Sequence, residues 1–254
     1  MNKTVLITGA TSGIGEACAK KFAADGDRLI ITGRRADRLN ALKIELETDF
    51  SSSVLALVFD VQDRKAVAEN LGTLSAEWQH IDLLINNAGL AAGKDSFDTA
   101  DINDWEAMLH TNVLGLLYVS KLIVPHMMAN KKGHIVNIGS IAGKEVYENG
   151  NVYCASKFAV DAISKSMRID LLKHSIKVTC IHPGAVETEF SLVRFKGDEK
   201  KANAAYNGIV PLNGHDIADA IFYCTQLPAH VCINDLVITP TQQANAYYTH
   251  QSFN

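Results

Sequence analysis

The chemistry legible in this chain centres on Tyr153 and Lys157, four residues apart in Asn151-Val152-Tyr153-Cys154-Ala155-Ser156-Lys157, and on Ser140, thirteen positions upstream of the tyrosine. On a helix, residues i and i+4 share a face, so a lysine charge at 157 is expected beside the phenol oxygen of 153. A tyrosine alone titrates near pH ~10. A neighbouring cation favours the phenolate and brings the group toward an acid/base range useful at neutral pH. The same spacing also suits a half-buried ring beside a solvated lysine, and Ser140 also suits a turn cap. The elements around these residues carry the weight.

At the N-terminus, Thr4-Val5-Leu6-Ile7-Thr8 is a short apolar run, followed by Gly9-Ala10-Thr11-Ser12-Gly13-Ile14-Gly15 and a helical stretch over 16–25. A strand, a glycine-rich turn and a helix make an anion site, because backbone N–H groups at the helix start point outward with the positive end of its dipole. Glycine lets a pyrophosphate approach the backbone closely. The spacing is G-x-x-x-G-x-G rather than G-x-G-x-x-G, so the flanking strand and helix carry the assignment. A second strand, Arg28-Leu29-Ile30-Ile31-Thr32, ends in Gly33-Arg34-Arg35, where the adenosine ribose of a dinucleotide is expected. A carboxylate there would bind a free 2′-hydroxyl, whereas arginine suits a 2′-phosphate. Two arginines and no acidic residue at this strand end favour NADP(H) over NAD(H).

Three further segments fit the same site. Leu57-Val58-Phe59-Asp60-Val61 reads as a strand ending in an aspartate. Ile81-Asp82-Leu83-Leu84-Ile85 runs into Asn86-Asn87-Ala88-Gly89, and His134-Ile135-Val136-Asn137-Ile138 runs into Gly139-Ser140. In open parallel sheets ligands bind beyond the carboxyl ends of the strands, where these small and polar residues fall. Helices are predicted near 14–25, 36–48, 63–78, 101–110, 112–130, 151–173 and 215–226, with a last strand near 235–239. Strand-length apolar runs between amphipathic helices predict an α/β fold, a doubly wound parallel sheet of Rossmann type covered on both faces. No linker, low-complexity tract or internal repeat divides the chain, so a single domain over 1–254 is expected.

Thr8-Gly9-x-x-x-Gly13-Ile14-Gly15, Asn86-Asn87-Ala88-Gly89, Asn112, Ser140, Tyr153-x-x-x-Lys157 and Pro183-Gly184 together resemble the motif set of the short-chain dehydrogenase/reductase family, over nearly the whole chain. Within it, Glu189-Phe190-Ser191-Leu192-Val193-Arg194-Phe195-Lys196-Gly197-Asp198 and Leu227-Pro228-Ala229-His230-Val231 are similar to the branch of NADP-dependent 3-hydroxy acid (serine, allo-threonine) dehydrogenases and sulfoacetaldehyde reductases. The resemblance implies Tyr153 as proton donor, Ser140 as a hydrogen-bond donor to the reacting oxygen, and Lys157 as the group that lowers the tyrosine pKa and holds the nicotinamide ribose. It implies that Asn112 supports a water that relays protons to the lysine, although Asn112 also suits a helix N-cap. For the cofactor it implies Gly9, Thr11, Ser12, Gly13, Ile14, Gly15, Arg34, Arg35, Asp60, Val61, Asn87, Ala88 and Gly89, together with Pro183, Gly184, Val186 and Thr188 after the sixth strand, Lys177-Val178-Thr179-Cys180-Ile181. It also implies a homotetramer built on the helices near 112–130 and 151–173.

For the substrate the resemblance points to Arg194, in a charged stretch over about 187–210 expected as a mobile lid; the matching arginine faces the substrate's anionic group. A solvated arginine paired with Glu189 or Asp198 is the competing reading. Tyr147, in Lys144-Glu145-Val146-Tyr147-Glu148-Asn149-Gly150, and Gln243, in a tail over about 240–254, add neutral donors beside Ser140 and Tyr153 that would suit a sulfonate. Reduction of sulfoacetaldehyde to isethionate is the first expectation and a 3-hydroxy acid dehydrogenase the second. A non-catalytic NADP(H)-sensing regulator is a third, opposed by the presence of serine, tyrosine and lysine together. The aromatic tail from Tyr247 onward is expected to lean on a neighbouring subunit.

The remaining composition narrows the function by exclusion. The 254 residues carry 24 Lys+Arg against 28 Asp+Glu, a formal net charge of −4 without a basic stripe, so nucleic acid is not an expected partner. No basic-then-apolar leader opens the chain, and Lys121 and Pro125 interrupt its most apolar helix, so a cytoplasmic enzyme without a membrane span is expected. Cys18, Cys154, Cys180, Cys224 and Cys232 are odd in number and form no C-x-x-C, and the histidines form no metal-like pair, so core or near-core thiols and no metal are expected.

Overall fold

The computed structural model describes residues 3–250; the part of the expected tail contact that falls on 251–254 lies outside the described residues. The β-branched runs form β1 (Thr4–Ile7), β2 (Arg28–Gly33), β3 (Val54–Val58), β4 (Leu83–Asn86), β5 (Gly133–Ile138), β6 (Ile176–Pro183) and β7 (Asp235–Ile238). They make one parallel sheet in the order β3-β2-β1-β4-β5-β6-β7. Side chains along each strand alternate between its faces, so the sheet needs an apolar cover on both. Val5, Ile7, Leu29 and Ile31 join Phe22, Leu39 and Ile221 in one core, while Leu6, Ile30 and Leu84 join Val67, Val119 and Ile123 in the other.

The covering helices are α1 (Gly13–Ala24), α2 (Ala36–Phe50), α3 (Arg64–Leu71), α4 (Ile102–Leu109), α5 (Leu116–Asn130), α6 (Asn151–Asp170), α7 (Glu189–Arg194), α8 (Glu199–Ala204) and α9 (Gly214–Gln226). Side-chain caps fix several starts: Asp63 accepts from two backbone N–H groups of α3, and Asn213 with Asp216 forms a capping box on α9. The doubly wound parallel architecture expected from the patterning is the one observed.

Boundaries differ from expectation for local reasons. The helix near 63–78 stops at Gly72, and a separate 3-10 turn covers Ala76–Trp78. The third strand begins at Val54, because it pairs there with Leu29, and it ends at Val58; Asp60 and Val61 lie past its end. The helices near 101–110 and 112–130 are one run, Ile102–Asn130, joined by a π-helical turn over His110–Gly115. Pro125 lies within α5 without breaking it. That run is therefore long and apolar enough, by length and composition, to cross a membrane, but Val119, Ile123 and Met127 pack fully buried against the sheet, as in a core helix. The charged stretch after Thr188 is not featureless. It folds as α7 and α8, capped by Thr188 and Asp198.

β1 lies between β2 and β4, so the chain turns one way after β1 and the other after β4. Ligands of open α/β sheets bind at this divergence, beyond the strand ends.

Candidate active site

The turn after β1 is shaped for close approach. Gly9 and Gly13 have φ of +66° and +58°, a conformation that costs a side chain and suits glycine. Asn87 Nδ2 donates to the Thr8 and Gly9 carbonyls at 2.9 and 3.0 Å, and Thr8 Oγ1 accepts from the N–H of Asn87 and of Ala88 at 3.0 Å. These bonds fasten the end of β4 to the end of β1. A Cβ on Gly15 would run into the Gly9 carbonyl and the Asn87 amide, so Gly15 closes the turn instead of facing outward.

Arg35 lies across this turn, donating to Thr11 Oγ1 at 3.0 Å and to Ser12 Oγ at 2.8 Å. The strand end is not free of carboxylates, as the local sequence implied. Arg34 pairs with Asp60 at 3.3 Å, and Glu189 bridges Arg38 and Arg35 at 2.5 and 2.7 Å. Hydrogen bonds from Arg38 and Arg35 hold the Glu189 pKa down to about 2. Both acids come from segments remote in sequence, which is why reading 33–35 alone missed them.

A cavity of about 510 Å³ runs from this turn across the strand ends to Ser140, Tyr153 and Lys157. Every residue proposed from sequence for cofactor or substrate lines it except Gly15, including Ile14, Val61, Gly89, Pro183, Gly184, Val186, Thr188, Tyr147, Arg194 and Gln243, while Asn112, proposed for proton relay, does not line it. The donor set fits a dinucleotide 2′-phosphate: two guanidinia and two hydroxyls at one end, and a glycine turn at a helix start beside them. Sequence reasoning missed Lys94, Phe190 and Tyr206. Phe190 packs on the Tyr153 ring with centroids 5.7 Å apart, and Tyr206 Oη donates to the Val186 carbonyl at 2.8 Å.

Tyr153 and Lys157 lie on one face of α6, both nearly buried at 8% and 6% exposure. The ammonium, however, donates to the Ile138 carbonyl at 2.8 Å and sits 6.0 Å from the Tyr153 ring centroid. Burial pushes the Tyr153 pKa up, and so does Tyr147, against the lowering effects of a hydrogen bond with Ser140 and of the Arg194 charge. Burial thus outweighs these lowering effects, and the Lys157 ammonium, expected to lower this pKa but held at the Ile138 carbonyl, is not among the largest influences on the phenol. Burial also lowers Lys157 itself, to about 8.

Ser140 Oγ accepts from the Ala142 N–H at 3.1 Å and caps a short 3-10 turn, so it has the turn role as well as a place in the cavity. Asn112 is not a helix N-cap. It sits inside the π-helical turn, where its side chain accepts from Leu90 N at 2.8 Å and donates to the Leu90 carbonyl at 2.8 Å and to Ser156 Oγ at 3.0 Å. A Cβ built on Gly89 would lie 3.3 Å from Asn112 Oδ1 and 3.6 Å from Lys157 Nζ, so the two side chains flank one glycine.

On the substrate side, Arg194 pairs with neither Glu189 nor Asp198. It donates to Tyr147 Oη at 2.9 Å and to the Gly93 carbonyl at 3.3 Å, with its guanidinium 5.4 Å from the Tyr153 ring centroid. Gln243 Oε1 accepts from Ala185 N at 2.8 Å and steadies the turn after β6. The tail folds back on its own chain: Ala246 N donates to Glu145 at 3.3 Å, and Tyr247 Oη donates to the Val146 carbonyl.

Behind Ser140, the buried His182 places Nδ1 3.2 Å from the Ser140 carbonyl. Its Nε2 faces Asp161 and Asp235 at 3.6 and 3.5 Å, without a hydrogen-bond partner among the described residues. With Cys180 these groups have metal-ligand chemistry. Lys144 and Lys165, however, already hold the Asp161 oxygens at 2.7 and 2.6 Å, which makes the cluster an ion-pair network supporting the Ser140 loop. Cys154, beside Tyr153, has its pKa raised chiefly by burial, as befits an inert thiol.

A doubly wound sheet with a phosphate turn after its first strand and a tyrosine–lysine helix facing its fifth describes an oxidoreductase, and the family model for short chain dehydrogenase matches residues 3–198. The chain belongs to that family. It is 45% identical over 243 residues to an NADP-dependent 3-hydroxy acid dehydrogenase, YdfG, of Salmonella typhi, covering 95% of this chain and 96% of that one. It is 42% identical over 245 residues to sulfoacetaldehyde reductase 2 of Chromohalobacter salexigens, with 96% of each covered. Among solved structures, the closed form of a serine dehydrogenase complexed with NADP+ superposes with a TM-score of 0.91 at 44% identity, covering 98% of this chain and 100% of that one.

Proposed function

We propose that this protein is an NADP-dependent dehydrogenase that interconverts a small 3-hydroxy acid of the serine type with its carbonyl product. NADP(H) is the cofactor. The observation that carries the substrate class is Arg194: a guanidinium without an acidic partner among the described residues, anchored on Tyr147, 5.4 Å from the ring centroid of Tyr153. It suits an anionic group only a bond or two from the reacting carbon. The 45% identical relative favours the hydroxy acid over the sulfonated aldehyde expected from sequence. The sulfoacetaldehyde reductase relative, together with the donors at Tyr147 and Gln243, supports the sulfonate as second reading.

Gly9, Thr11, Ser12, Gly13, Arg34 and Arg35 would hold the phosphates of the cofactor, and Tyr153 and Lys157 its nicotinamide ribose. When bound, the cofactor supplies or accepts hydride at the carbon. In the reductive direction Tyr153 gives its phenolic proton to the carbonyl oxygen, and the Ser140 hydroxyl donates a hydrogen bond to that oxygen as charge develops. In the oxidative direction Tyr153 takes the proton as a phenolate, which the Arg194 charge and the Ser140 hydrogen bond favour against the cost of burial.

Steady-state kinetics with NADP+ test the reading. L-Serine and 3-hydroxypropionate should give kcat/KM values well above that of isethionate; the reverse order selects the sulfonate. Tyr153→Phe should abolish turnover while leaving NADPH binding intact. Undiminished activity in that variant would mean that another group moves the proton.

A further inference from the structure

We propose that Glu189 sets how strongly the adenosine site prefers a 2′-phosphate: its carboxylate occupies Arg35 in the free protein, and the 2′-phosphate must displace it. The inference rests on NADP(H) as cofactor and on Arg34 and Arg35 as the groups that meet its 2′-phosphate. It adds a residue that opposes them.

Glu189 reaches this site from a remote segment. It is the first residue of α7, whose start is fixed by Thr188 Oγ1 accepting from Phe190 N at 3.2 Å. Its Oε2 lies 2.7 Å from Arg35 Nη1 and its Oε1 2.5 Å from Arg38 Nη1. Glu189, Arg34 and Arg35 line the cavity beside Thr11 and Ser12, whereas Arg38 does not. The carboxylate therefore has a holder outside the cavity, on which it can remain when Arg35 turns to a ligand.

The charges decide the direction of the effect. Arg34, Arg35 and Arg38 are set against Asp60 and Glu189, so this cluster keeps one positive charge for a phosphate group that carries about −1.5 to −2. Without Glu189 it keeps two. A phosphate on the same guanidinium competes with the carboxylate and is repelled by it. The depressed Glu189 pKa agrees, since it belongs to a carboxylate that the arginines already hold as an anion. Arg35 does not depend on Glu189 for its place, because it also donates to Thr11 Oγ1 at 3.0 Å and to Ser12 Oγ at 2.8 Å. A free 2′-hydroxyl meets the opposite chemistry, since it can donate to a carboxylate. Glu189 thus weakens the phosphorylated nucleotide selectively.

Calorimetric titration of the substrate-free protein with 2′,5′-ADP and with 5′-AMP tests this, because the two nucleotides differ by the 2′-phosphate alone. Glu189→Gln keeps the size of the side chain and removes its charge. The variant should bind 2′,5′-ADP tighter by about threefold or more, the scale of an exposed ion pair, with 5′-AMP unchanged or weaker. NADPH and NADH should follow the same pattern. Damage to the fold would weaken both nucleotides, so a gain confined to one separates competition from a structural role.

Unchanged or weaker binding of 2′,5′-ADP by Glu189→Gln, or an equal gain for 5′-AMP, overturns the inference. If the wild-type protein itself binds 5′-AMP as tightly as 2′,5′-ADP, the phosphate site falls together with it. L-Serine oxidation with NADP+ is read separately: its failure with the nucleotide pattern intact strikes the proposed substrate alone.

Discussion

Arg194 is the residue on which the substrate reading turns, because it is the group proposed to meet the anion and its charge also bears on the Tyr153 phenol. Arg194→Ala should raise KM for the anionic substrate tenfold or more, about 1.4 kcal/mol, with NADPH affinity unchanged; an unaltered KM would remove Arg194 from the site. Lys157 yields a second expectation. Burial lowers its pKa to about 8, so its ammonium is present below that pH and lost above it. If Lys157 replenishes the proton that Tyr153 gives up, the rate of reduction falls as pH rises through about 8, and a profile flat across that pH denies it the role. The tyrosine, lysine and serine were legible because local spacing puts them on one helix and one strand end. The tie of Arg194 to Gly93 was not, since it joins residues 101 positions apart.

Among the elements, α7 has the most to say about stability. Its first residue, Glu189, is clasped by Arg35 and Arg38 at the start of α2. Its folded pKa is depressed from 4.5 to about 2, so the stabilisation it brings is complete above 4.5 and is lost as pH falls from there through 2. Wild type should have a higher urea midpoint than Glu189→Gln at neutral pH, and the gap should close in that acid window. A gap independent of pH would show that the carboxylate charge is not what α2 and α7 share. Strands and helices could be read from the periods of their apolar residues. Their ends could not: Gly72 stops α3 early, pairing with β2 sets where β3 begins, and a π-helical turn runs two expected helices together. The pairing of Glu189 with Arg35 spans 154 positions and leaves no local signal.

At the scale of the whole molecule, Leu109, Leu117, Phe158 and Ile169 stand exposed on the 102–130 run and on α6, an apolar surface that a partner subunit would cover. We expect four chains per particle by light scattering. We also expect removal of residues 247–254 to alter that mass or the kinetics; a truncated enzyme unchanged in both would leave the tail a contact within its own chain. Within one subunit, α7 is a strut of six residues, roughly 9 Å long. One end is tethered to Arg35 and Arg38, on the side proposed for the adenosine, and the other carries Arg194, the arginine proposed for the substrate. If a strut anchored at both ends couples the two compartments, occupancy of one is felt in the other. The expected kinetic signature is sequence in time: dinucleotide enters first and leaves last, so NADPH competes with NADP+ alone while the carbonyl product competes with neither.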